Sequence, residues 1–173
     1  MKIFQIITRT DLGGAQSVVV NLANELCKDH EVIVAAGEGD GKMWKLLAPS
    51  IKREEISSLH RALSPINEIK TLFALRRLYG KYKPDIIHLH SSKVGILGRI
   101  AFPKLKIVYT VHGFDSIRIA YRQYLPLERI LQGYCKMIVG VSEYDGWNLR
   151  GEGIRRNVRV IYNGISIPCA LGG

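Results

Sequence analysis

Two adjacent glycines, Gly13 and Gly14, stand between a strand-like run that ends at Ile7 and a helical pattern that begins at Ala15. In a doubly wound sheet, ligands bind beyond the carboxyl ends of the strands, where the first helix presents its free backbone N–H groups. A position without a side chain lets a pyrophosphate or a sugar approach that helix terminus. The alternative is that the glycines only permit a tight turn, because glycine adopts positive φ without steric cost.

Polar side chains also follow two later strand-like runs. Ser91, Ser92 and Lys93 come directly after one run, where they could bind hydroxyls or phosphate, or merely cap the helix that follows. His112 follows the next run and precedes Gly113. A histidine at such an edge can donate to a substrate hydroxyl or shuttle a proton, or it can be a hydrogen-bonded loop residue.

The histidines and cysteines are weaker evidence for a functional site. His88 and His90 are two positions apart in a strand-like run and so share a face. Metal ligation would need further ligands, and packed or hydrogen-bonded histidines are the favoured interpretation. The three cysteines, Cys27, Cys135 and Cys169, form no CxxC pair. They indicate neither a zinc site nor a disulfide framework, and a reducing, cytoplasmic location is expected.

Strand-like and helical patterns alternate along the chain. Six short runs rich in valine and isoleucine cover residues 2–7, 30–36, 85–90, 106–111, 136–141 and 157–162, and a weaker run, 51–56, is expected at the sheet edge. Predicted helices cover residues 15–26, 65–82, 94–102, 115–134 with a kink at Pro126, and 143–150. This order predicts an α/β fold with a Rossmann-like, doubly wound, mostly parallel sheet of six or seven strands.

Composition narrows the function classes. The 173 residues, 47% of them hydrophobic, suit one domain with a substantial core. A formal charge of +10 favours anionic partners such as phosphorylated substrates, nucleic acid or an anionic membrane face, although no nucleic-acid-binding motif accompanies it. No apolar run reaches the roughly 18 residues that a membrane span needs. The dinucleotide fingerprint GxGxxG is missing after the first run, which disfavours a nicotinamide oxidoreductase.

Taken in order, the motifs resemble the N-terminal domain of family 4 glycosyltransferases. They are GGAQ, DHEVIVAAGEG, KPDIIHLHSSKVGILGRI, VYTVHGF, IVGVSEYDGWNL and VRVIYNGI, and the resemblance runs over residues 1–165. HSSKVGILGRI with TVHGFD is most similar to bacterial enzymes of capsular or other surface polysaccharide assembly. The resemblance implies one half of a GT-B architecture, in which two Rossmann-like domains face each other across a cleft. The sugar acceptor would bind mostly to this domain, and the nucleotide sugar mostly to the C-terminal one.

The resemblance implies roles only for positions that match the family's motifs. Gly13 and Gly14 would bring backbone amides to the donor diphosphate or to the acceptor. His112 matches a histidine that contacts the donor sugar near the reacting centre and is the catalytic candidate. Loop positions that match the acceptor side are Ser91, Ser92, Lys93 and Ser142. The enzyme implied is a retaining transferase that uses a nucleotide sugar as donor substrate, with neither a metal nor another cofactor.

One departure from the family concerns the second domain. The chain ends at Gly173, and the Glu-x7-Glu motif of the nucleotide-sugar domain does not occur. Residues 166–173 are expected to begin an interdomain linker or a truncated tail, so the sequence would be an excised fragment, a truncated gene product or half of a split enzyme. No sugar transfer is expected from this chain alone. The alternative function is a standalone binding domain for anionic glycans or lipid-linked sugars.

A membrane contact follows from the acceptor class. Acceptors of the enzymes this chain resembles are often polyprenyl-diphosphate sugars in the cytoplasmic leaflet, so peripheral binding at the inner face of the cytoplasmic membrane is expected. Arg118 and Arg122 are the favoured contacts, interleaved with Ile117, Ile119, Tyr121, Tyr124 and Leu125. A second basic segment contains Lys70, Arg76, Arg77, Lys81 and Lys83. The alternative is that both segments are solvated outer faces.

Overall fold

The computed structural model describes residues 1–120 and 122–164, and these form a single seven-stranded sheet. All six strand pairs are parallel, in the order β3-β2-β1-β4-β5-β6-β7. The strands are β1 Lys2–Ile7, β2 Glu31–Ala36, β3 Lys52–Glu55, β4 Ile86–Leu89, β5 Ile107–Val111, β6 Met137–Gly140 and β7 Val158–Val160. The predicted fold class is confirmed, and the weak run at 51–56 does form the edge strand β3.

In the described part of the chain, six α-helices connect the strands. They are α1 Gly14–Leu26, α2 Lys42–Leu46, α3 Pro65–Tyr82, α4 Ser92–Ala101, α5 Leu125–Leu131 and α6 Glu143–Gly151. The start of α3 is defined by its first residues, because the Ser64 hydroxyl accepts the Asn67 N–H and Pro65 needs no hydrogen bond in the first turn. The Glu68 carboxylate accepts the Ser64 N–H at 3.2 Å and closes this cap. The short helix α2 was not predicted from the sequence.

Helices cover the sheet on two faces. On one face, Phe4 and Ile6 of β1 pack in a core that also contains Leu75 of α3 and Leu97 of α4. On the other face, Ile7 packs in a second core with residues of α1 and α2, among them Val19, Val20, Ala23 and Met43. Alternate residues of β1 therefore contribute to opposite cores, which explains why this run is mostly apolar; the exception within it is Gln5, which is fully buried.

The segment 115–134 is not one kinked helix, as the sequence pattern predicted. It consists of a π-helical turn, Ser116–Ala120, a 3-10 turn, Arg122–Tyr124, then α5 and a second 3-10 turn, Gln132–Tyr134. Pro126 is the reason for the error. It occupies the first turn of α5, where its missing N–H costs nothing, so it starts a helix instead of bending one.

The chain changes direction across the sheet between β1 and β4. From β1 it proceeds outward through β2 and β3, and then α3 returns it to β4 on the other side of β1. In open parallel sheets the crevice outside the carboxyl ends of two such strands is the usual ligand site. The residues that follow Ile7 and Leu89 therefore bound the candidate site.

Candidate active site

A hydrogen bond joins the ends of the two central strands. The Thr8 and Ser91 hydroxyl oxygens are 2.5 Å apart, although the residues are 83 positions apart in the chain. Helices α1 and α4 begin beyond this bond, with Gly13 and Ser91 as their N-cap residues, and neither helix has a side-chain cap. Ser91 occupies the cap position of α4, but its hydroxyl bonds to Thr8 instead. Two helix N-termini thus present free backbone N–H groups at one edge, an arrangement suited to an anion.

The backbone at the glycine pair rules out the tight-turn explanation. Gly13 is extended, with φ of −163°, and Gly14 does not have positive φ either. A Cβ at Gly13 would lie 2.9 Å from Oε1 of Gln16, a flexible side chain, and one at Gly14 would meet no atom within 4 Å. Folding therefore does not require glycine at position 14, and open space lies beside the first turn of α1. The contact with donor diphosphate or sugar acceptor stays a prediction.

A cavity of about 380 Å³ lies at this edge. Its apolar lining comes from several elements and includes Ile7, Ala15, Leu63, Ile96, Leu97 and Leu127, together with Tyr124. Ser91, Ser92 and Lys93 line it as predicted, next to Thr8 and Gln16. The structure thus brings the predicted residues Ser91, Ser92 and Lys93 together at a mainly apolar cavity that has polar groups at the helix termini.

Among the described residues, three cationic side chains line the cavity, and sequence reasoning identified only one of them. Lys93 is held by an ion pair of 2.8 Å with Glu68 and donates to the Ala62 carbonyl at 2.5 Å. Arg9 forms an ion pair of 2.8 Å with Asp11, and its hydrogen bond lowers the pKa of that carboxyl. Arg61 is the third. The signal for Arg9 and Arg61 was present in the sequence, because each follows a predicted strand at the carboxyl edge.

Glu38 positions the loop that carries Arg61. Its Oε1 accepts the Arg61 N–H at 2.7 Å and its Oε2 lies 3.2 Å from Nδ1 of His60. The backbone N–H of Arg61 is the main cause of the lowered pKa of this carboxyl. A Cβ at Gly37 would lie 1.9 Å from the Leu59 carbonyl oxygen, so only glycine allows the loop to come this close to the end of β2.

His112 lines a smaller cavity that adjoins the first. This cavity has a volume of about 130 Å³ and shares Ala15, Ser91 and Ser92 with the larger one. Gly113, at φ of +77°, continues the lining and turns the chain away from β5 in a conformation that favours glycine. The predicted catalytic candidate therefore lies beside the two helix N-termini.

Three histidines, His88, His90 and His112, contact one another at this cavity; His90 is fully buried and the other two are partly buried. His90 Nδ1 lies 3.2 Å from His112 Nε2, and His88 Nε2 lies 2.7 Å from the Thr110 hydroxyl. Burial lowers the pKa of His88 and of His112 to about 4 and places that of His90 well below its ordinary value. Asp145 acts in the opposite direction on the pKa of His112. At neutral pH these imidazoles are uncharged, so His112 can exchange hydrogen bonds with a ligand but does not present a cation to it.

The packed interpretation of His88 and His90 is confirmed by these contacts. Across residues 1–120 and 122–164, no group of three or more His, Cys, Asp or Glu side chains is arranged to hold a metal ion. Cys27 and Cys135 are both free thiols, and Cys169 lies outside the described residues.

Ser142 is engaged in a local structure next to His112. Its hydroxyl accepts the Asp145 N–H at 3.1 Å, as the N-cap of α6, and donates to Oδ2 of the same residue at 2.7 Å. The other oxygen of Asp145 accepts the Phe114 N–H at 2.8 Å and so holds the loop after β5. Ser142 lines neither of the two cavities described above, and its predicted acceptor-side role stays untested.

The favoured membrane segment does not have the predicted surface. Ile117 and Leu125 are buried in the core, at 1% and 2% exposure, so the expectation that they enter a lipid headgroup zone is wrong. Ile119 is exposed, and Tyr121 lies outside the described residues. Arg118 donates to Asp115 at 2.8 Å, and Arg122 lies 3.3 Å from Glu152. Ile117 and Leu125 pack in the same core as Leu97 and Tyr109 instead of facing solvent.

Residues 12–167 match Glycosyltransferase Family 4, and the chain belongs to this family. An Escherichia coli relative, UDP-Gal:alpha-D-GlcNAc-diphosphoundecaprenol alpha-1,3-galactosyltransferase, is 34% identical over 64% of this chain and 31% of its own length. A Campylobacter jejuni relative, an alpha-1,4-N-acetyl-D-galactosaminyltransferase with an undecaprenol-linked substrate in its name, is 32% identical over 67% of this chain and 33% of its own. The chain thus spans about a third of these two relatives.

Solved structures show the same fold. Anabaena HepE in complex with UDP and glucose superposes with a TM-score of 0.70 at 20% identity, over 95% of this chain and 45% of that one. Sucrose-phosphate synthase from Thermosynechococcus elongatus has a TM-score of 0.74 at 15% identity, over 93% and 47%. This chain therefore aligns with slightly less than half of each of these two proteins. None of the described helices is long and apolar enough to cross a membrane.

Proposed function

We propose that the chain is the acceptor-side half of a retaining glycosyltransferase of surface polysaccharide biosynthesis. The complete enzyme transfers a sugar from a nucleotide sugar to a glycan or to a polyprenyl-diphosphate-linked sugar at the cytoplasmic face of the membrane. The observation that carries this proposal is the 380 Å³ cavity beside two uncapped helix N-termini, in a chain of Glycosyltransferase Family 4.

The two parts of the cavity match the two parts of a lipid-linked acceptor. A diphosphate suits the free N–H groups of α1 and α4 together with Arg9 and Arg61. The apolar lining, which includes Ile96, Leu97 and Leu127, suits an isoprenoid chain or the apolar face of a sugar. Support comes from the Escherichia coli relative, whose name contains an acceptor of this class and UDP-Gal as the donor.

In this proposal His112 contacts the donor sugar. A neutral imidazole in a partly water-excluded cavity can donate a hydrogen bond to a sugar hydroxyl near the reacting carbon, and such a bond contributes most when charge develops there in the transition state. The nucleotide sugar is a substrate, and the proposed reaction uses no metal and no other cofactor. The remainder of the complete enzyme binds the nucleotide.

The test uses the full-length protein that contains this chain. Undecaprenyl-diphosphate-GlcNAc would be incubated with each common UDP-sugar, with and without EDTA, and the anomeric configuration of the product would be read by NMR. We expect transfer that EDTA does not reduce, with the anomeric configuration of the donor kept. Inversion would refute the retaining mechanism, loss of activity in EDTA would refute the metal-free reaction, and no transfer to any polyprenyl-linked or free glycan acceptor would refute the function.

The second candidate is a standalone domain that binds anionic glycans or lipid-linked sugars without transfer. The uncapped helix N-termini favour an anionic ligand in either case. Isothermal titration of the present chain with a soluble, short-chain polyprenyl-diphosphate sugar tests the ligand class that the two share, and the transfer assay on the full-length protein separates them. Both candidates predict binding, but only the transferase predicts that a downstream domain in the same gene makes the bound sugar react.

A further inference from the structure

The connection between β3 and α3 forms one wall of the 380 Å³ cavity and has little packing of its own. Arg61 and Leu63 line the cavity. Leu59, just before them, is fully buried, whereas Arg61, Ala62 and Leu63 are exposed. Residues 60–63 are called the wall loop below. A segment with few buried apolar contacts is ordered mainly by its polar contacts, so these contacts decide where Arg61 and Leu63 lie.

The first half of the wall loop is attached to the end of β2. The Leu59 carbonyl accepts the Glu38 N–H at 3.1 Å, and the Glu38 carboxylate accepts the Arg61 N–H at 2.7 Å. The second oxygen of this carboxylate lies 3.2 Å from Nδ1 of His60. These three contacts involve residues 59–61 alone, so the second half of the loop needs an attachment elsewhere.

Lys93 supplies the second attachment from the neighbouring helix α4. Its ammonium group donates to the Ala62 carbonyl at 2.5 Å and forms an ion pair of 2.8 Å with Oε1 of Glu68. The same Glu68 oxygen accepts the Ser64 N–H at 3.2 Å. Lys93 therefore contacts the wall loop directly at Ala62, and it also contacts the carboxylate that holds the first residue after the loop.

The charge of Lys93 is shielded and paired. The Lys93 and Glu68 side chains are only 13% and 22% exposed, and a shielded pair is screened less by salt than a pair on the surface. Of the three N–H donors of an ammonium group, Ala62 and Glu68 use two. A phosphate that approached Lys93 would also meet the Glu68 carboxylate, and the two negative charges would repel each other. These contacts suit attachment of the loop better than recognition of an anion.

We propose that Lys93 is a positioning residue, which holds the wall loop against α4 and so places Arg61 and Leu63 at the cavity. In the proposed function, the diphosphate contacts Arg61 and the free N–H groups of the helix termini, whereas the Lys93 side chain contacts the loop and not the ligand. This role differs from the phosphate binding that the sequence suggested for Lys93. The effect on acceptor binding rests on the proposed function, but the position of the loop does not.

Hydrogen exchange of the present chain tests the attachment without any ligand. Lys93→Met removes the ammonium group but keeps a long side chain and the backbone N–H in the first turn of α4. The amides of Arg61 and Ser64, which are hydrogen-bonded in the parent protein, should exchange at least about tenfold faster. Lys93→Arg should exchange like the parent, because a guanidinium group can also donate to a carbonyl and a carboxylate.

The matched control is Lys81→Met. It makes the same substitution and also removes an ion pair, the 2.6 Å contact with Glu54, but Lys81 lies in the last turn of α3 and does not line the cavity. Exchange of the Arg61 and Ser64 amides should stay within about twofold of the parent. The proposal is wrong if Lys93→Met leaves this exchange unchanged, or if both lysine variants accelerate it equally.

Kinetics of the full-length enzyme separate positioning from phosphate binding. Glu68→Gln removes the negative charge beside Lys93. Loss of the loop position should raise the KM for undecaprenyl-diphosphate-GlcNAc about fivefold or more in Glu68→Gln and in Lys93→Met, with kcat within about twofold of the parent. A lower KM in Glu68→Gln would show that the freed ammonium group binds the diphosphate, and would overturn the proposal. A parent enzyme without any transfer would count against the proposed function alone, because hydrogen exchange still decides the position of the loop.

Discussion

The imidazoles of His90 and His112 face each other with Nδ1 of the first 3.2 Å from Nε2 of the second. Both rings are neutral at pH 7, so one of them donates the hydrogen bond. If His112 donated, His90 would carry its proton on Nε2, a buried atom without a hydrogen-bond partner in the described part of the chain. A buried N–H without a partner is rarer than an unpaired lone pair. The favoured arrangement has His90 as the donor, which leaves His112 with its proton on Nδ1.

This arrangement predicts a tautomer that can be observed directly. In ¹⁵N NMR spectra of the chain at pH 7, His112 should be protonated at Nδ1. His90→Asn places an amide N–H near the position of Nδ1 and should preserve that tautomer, whereas His90→Leu should release it. In the full-length enzyme, we expect the leucine variant to lose about tenfold in kcat/KM and the asparagine variant to lose less. A parent protein in which His112 is protonated at Nε2 would contradict the assignment.

His112→Ala tests the catalytic role in the full-length enzyme. We expect kcat/KM to fall by on the order of a hundredfold or more, because the proposed hydrogen bond to the reacting sugar would be lost in the transition state. Thermal unfolding of the same variant is the control. A lower melting temperature with nearly normal turnover per folded molecule would make His112 a structural residue.

Gly14→Val tests the approach of a ligand to the first turn of α1. A Cβ at position 14 meets no atom of the neighbouring elements within 4 Å, and valine has a higher helix propensity than glycine, so the melting temperature should stay close to that of the parent. Ligand binding and sugar transfer should be strongly reduced. Gly80→Val is the matched control, since a Cβ there also meets no atom within 4 Å but lies on α3, away from the sheet edge. Normal transfer by Gly14→Val would refute the backbone contact.

A buried ion pair attaches α5 to α4 behind the cavity. Arg99 Nη2 lies 2.6 Å from Glu128 Oε2, and the side chains are 0% and 2% exposed. Glu128→Gln or Arg99→Met should each lower the free energy of unfolding by about 3–5 kcal/mol, because each leaves a buried charge without its partner. The double variant Arg99→Met/Glu128→Leu should recover most of that loss in urea unfolding of the chain. Losses that simply add would show that the pair is not coupled.

The lowered histidine pKa values predict a loss of stability in mild acid. Well above pH 6.5, His88, His90 and His112 are unprotonated in both the folded and the unfolded chain. Between pH 6.5 and about 4, the unfolded chain protonates His88, His90 and His112 while the folded chain does not, so acid favours unfolding. Each histidine contributes up to about 1.4 kcal/mol per pH unit in this window.

Urea unfolding at several pH values between about 8 and about 5 measures this effect. Carboxylates such as Glu31 and Glu38, whose pKa values are lowered from 4.5, lose their contribution only in stronger acid. Burial raises the pKa of Glu128 above 4.5, so this carboxyl opposes the histidines as the pH falls, and Glu128→Gln is the matched background for the measurement. The free energy of unfolding should be nearly constant above pH 7 and fall below 6.5. His88→Gln should make the fall shallower. A curve that stays flat to pH 5 would contradict the buried, neutral histidines.

Much of the fold follows from the sequence by itself. The apolar stripe of α1, the Ser64-Pro65 start of α3 and the short valine- and isoleucine-rich runs are local patterns, and local backbone preferences and burial are enough to form them. Because the carboxyl ends of parallel strands meet at one edge, the sequence pattern also places Gly14, Ser91 and His112 at the same edge of the sheet.

The tertiary structure decided which of these residues meet and which side chains are available. The order of the strands brings Thr8 next to Ser91 and Arg9 next to the cavity, and no local pattern encodes such contacts between distant positions. Ile117 and Phe73 are both apolar residues near cations in the sequence, but Ile117 packs in the core and Phe73 faces solvent. The sequence shows only that residue 93 is a lysine, whereas the structure shows that its charge is paired with Glu68. Exposure and pairing depend on the packing of the whole chain, so only the folded protein decides them.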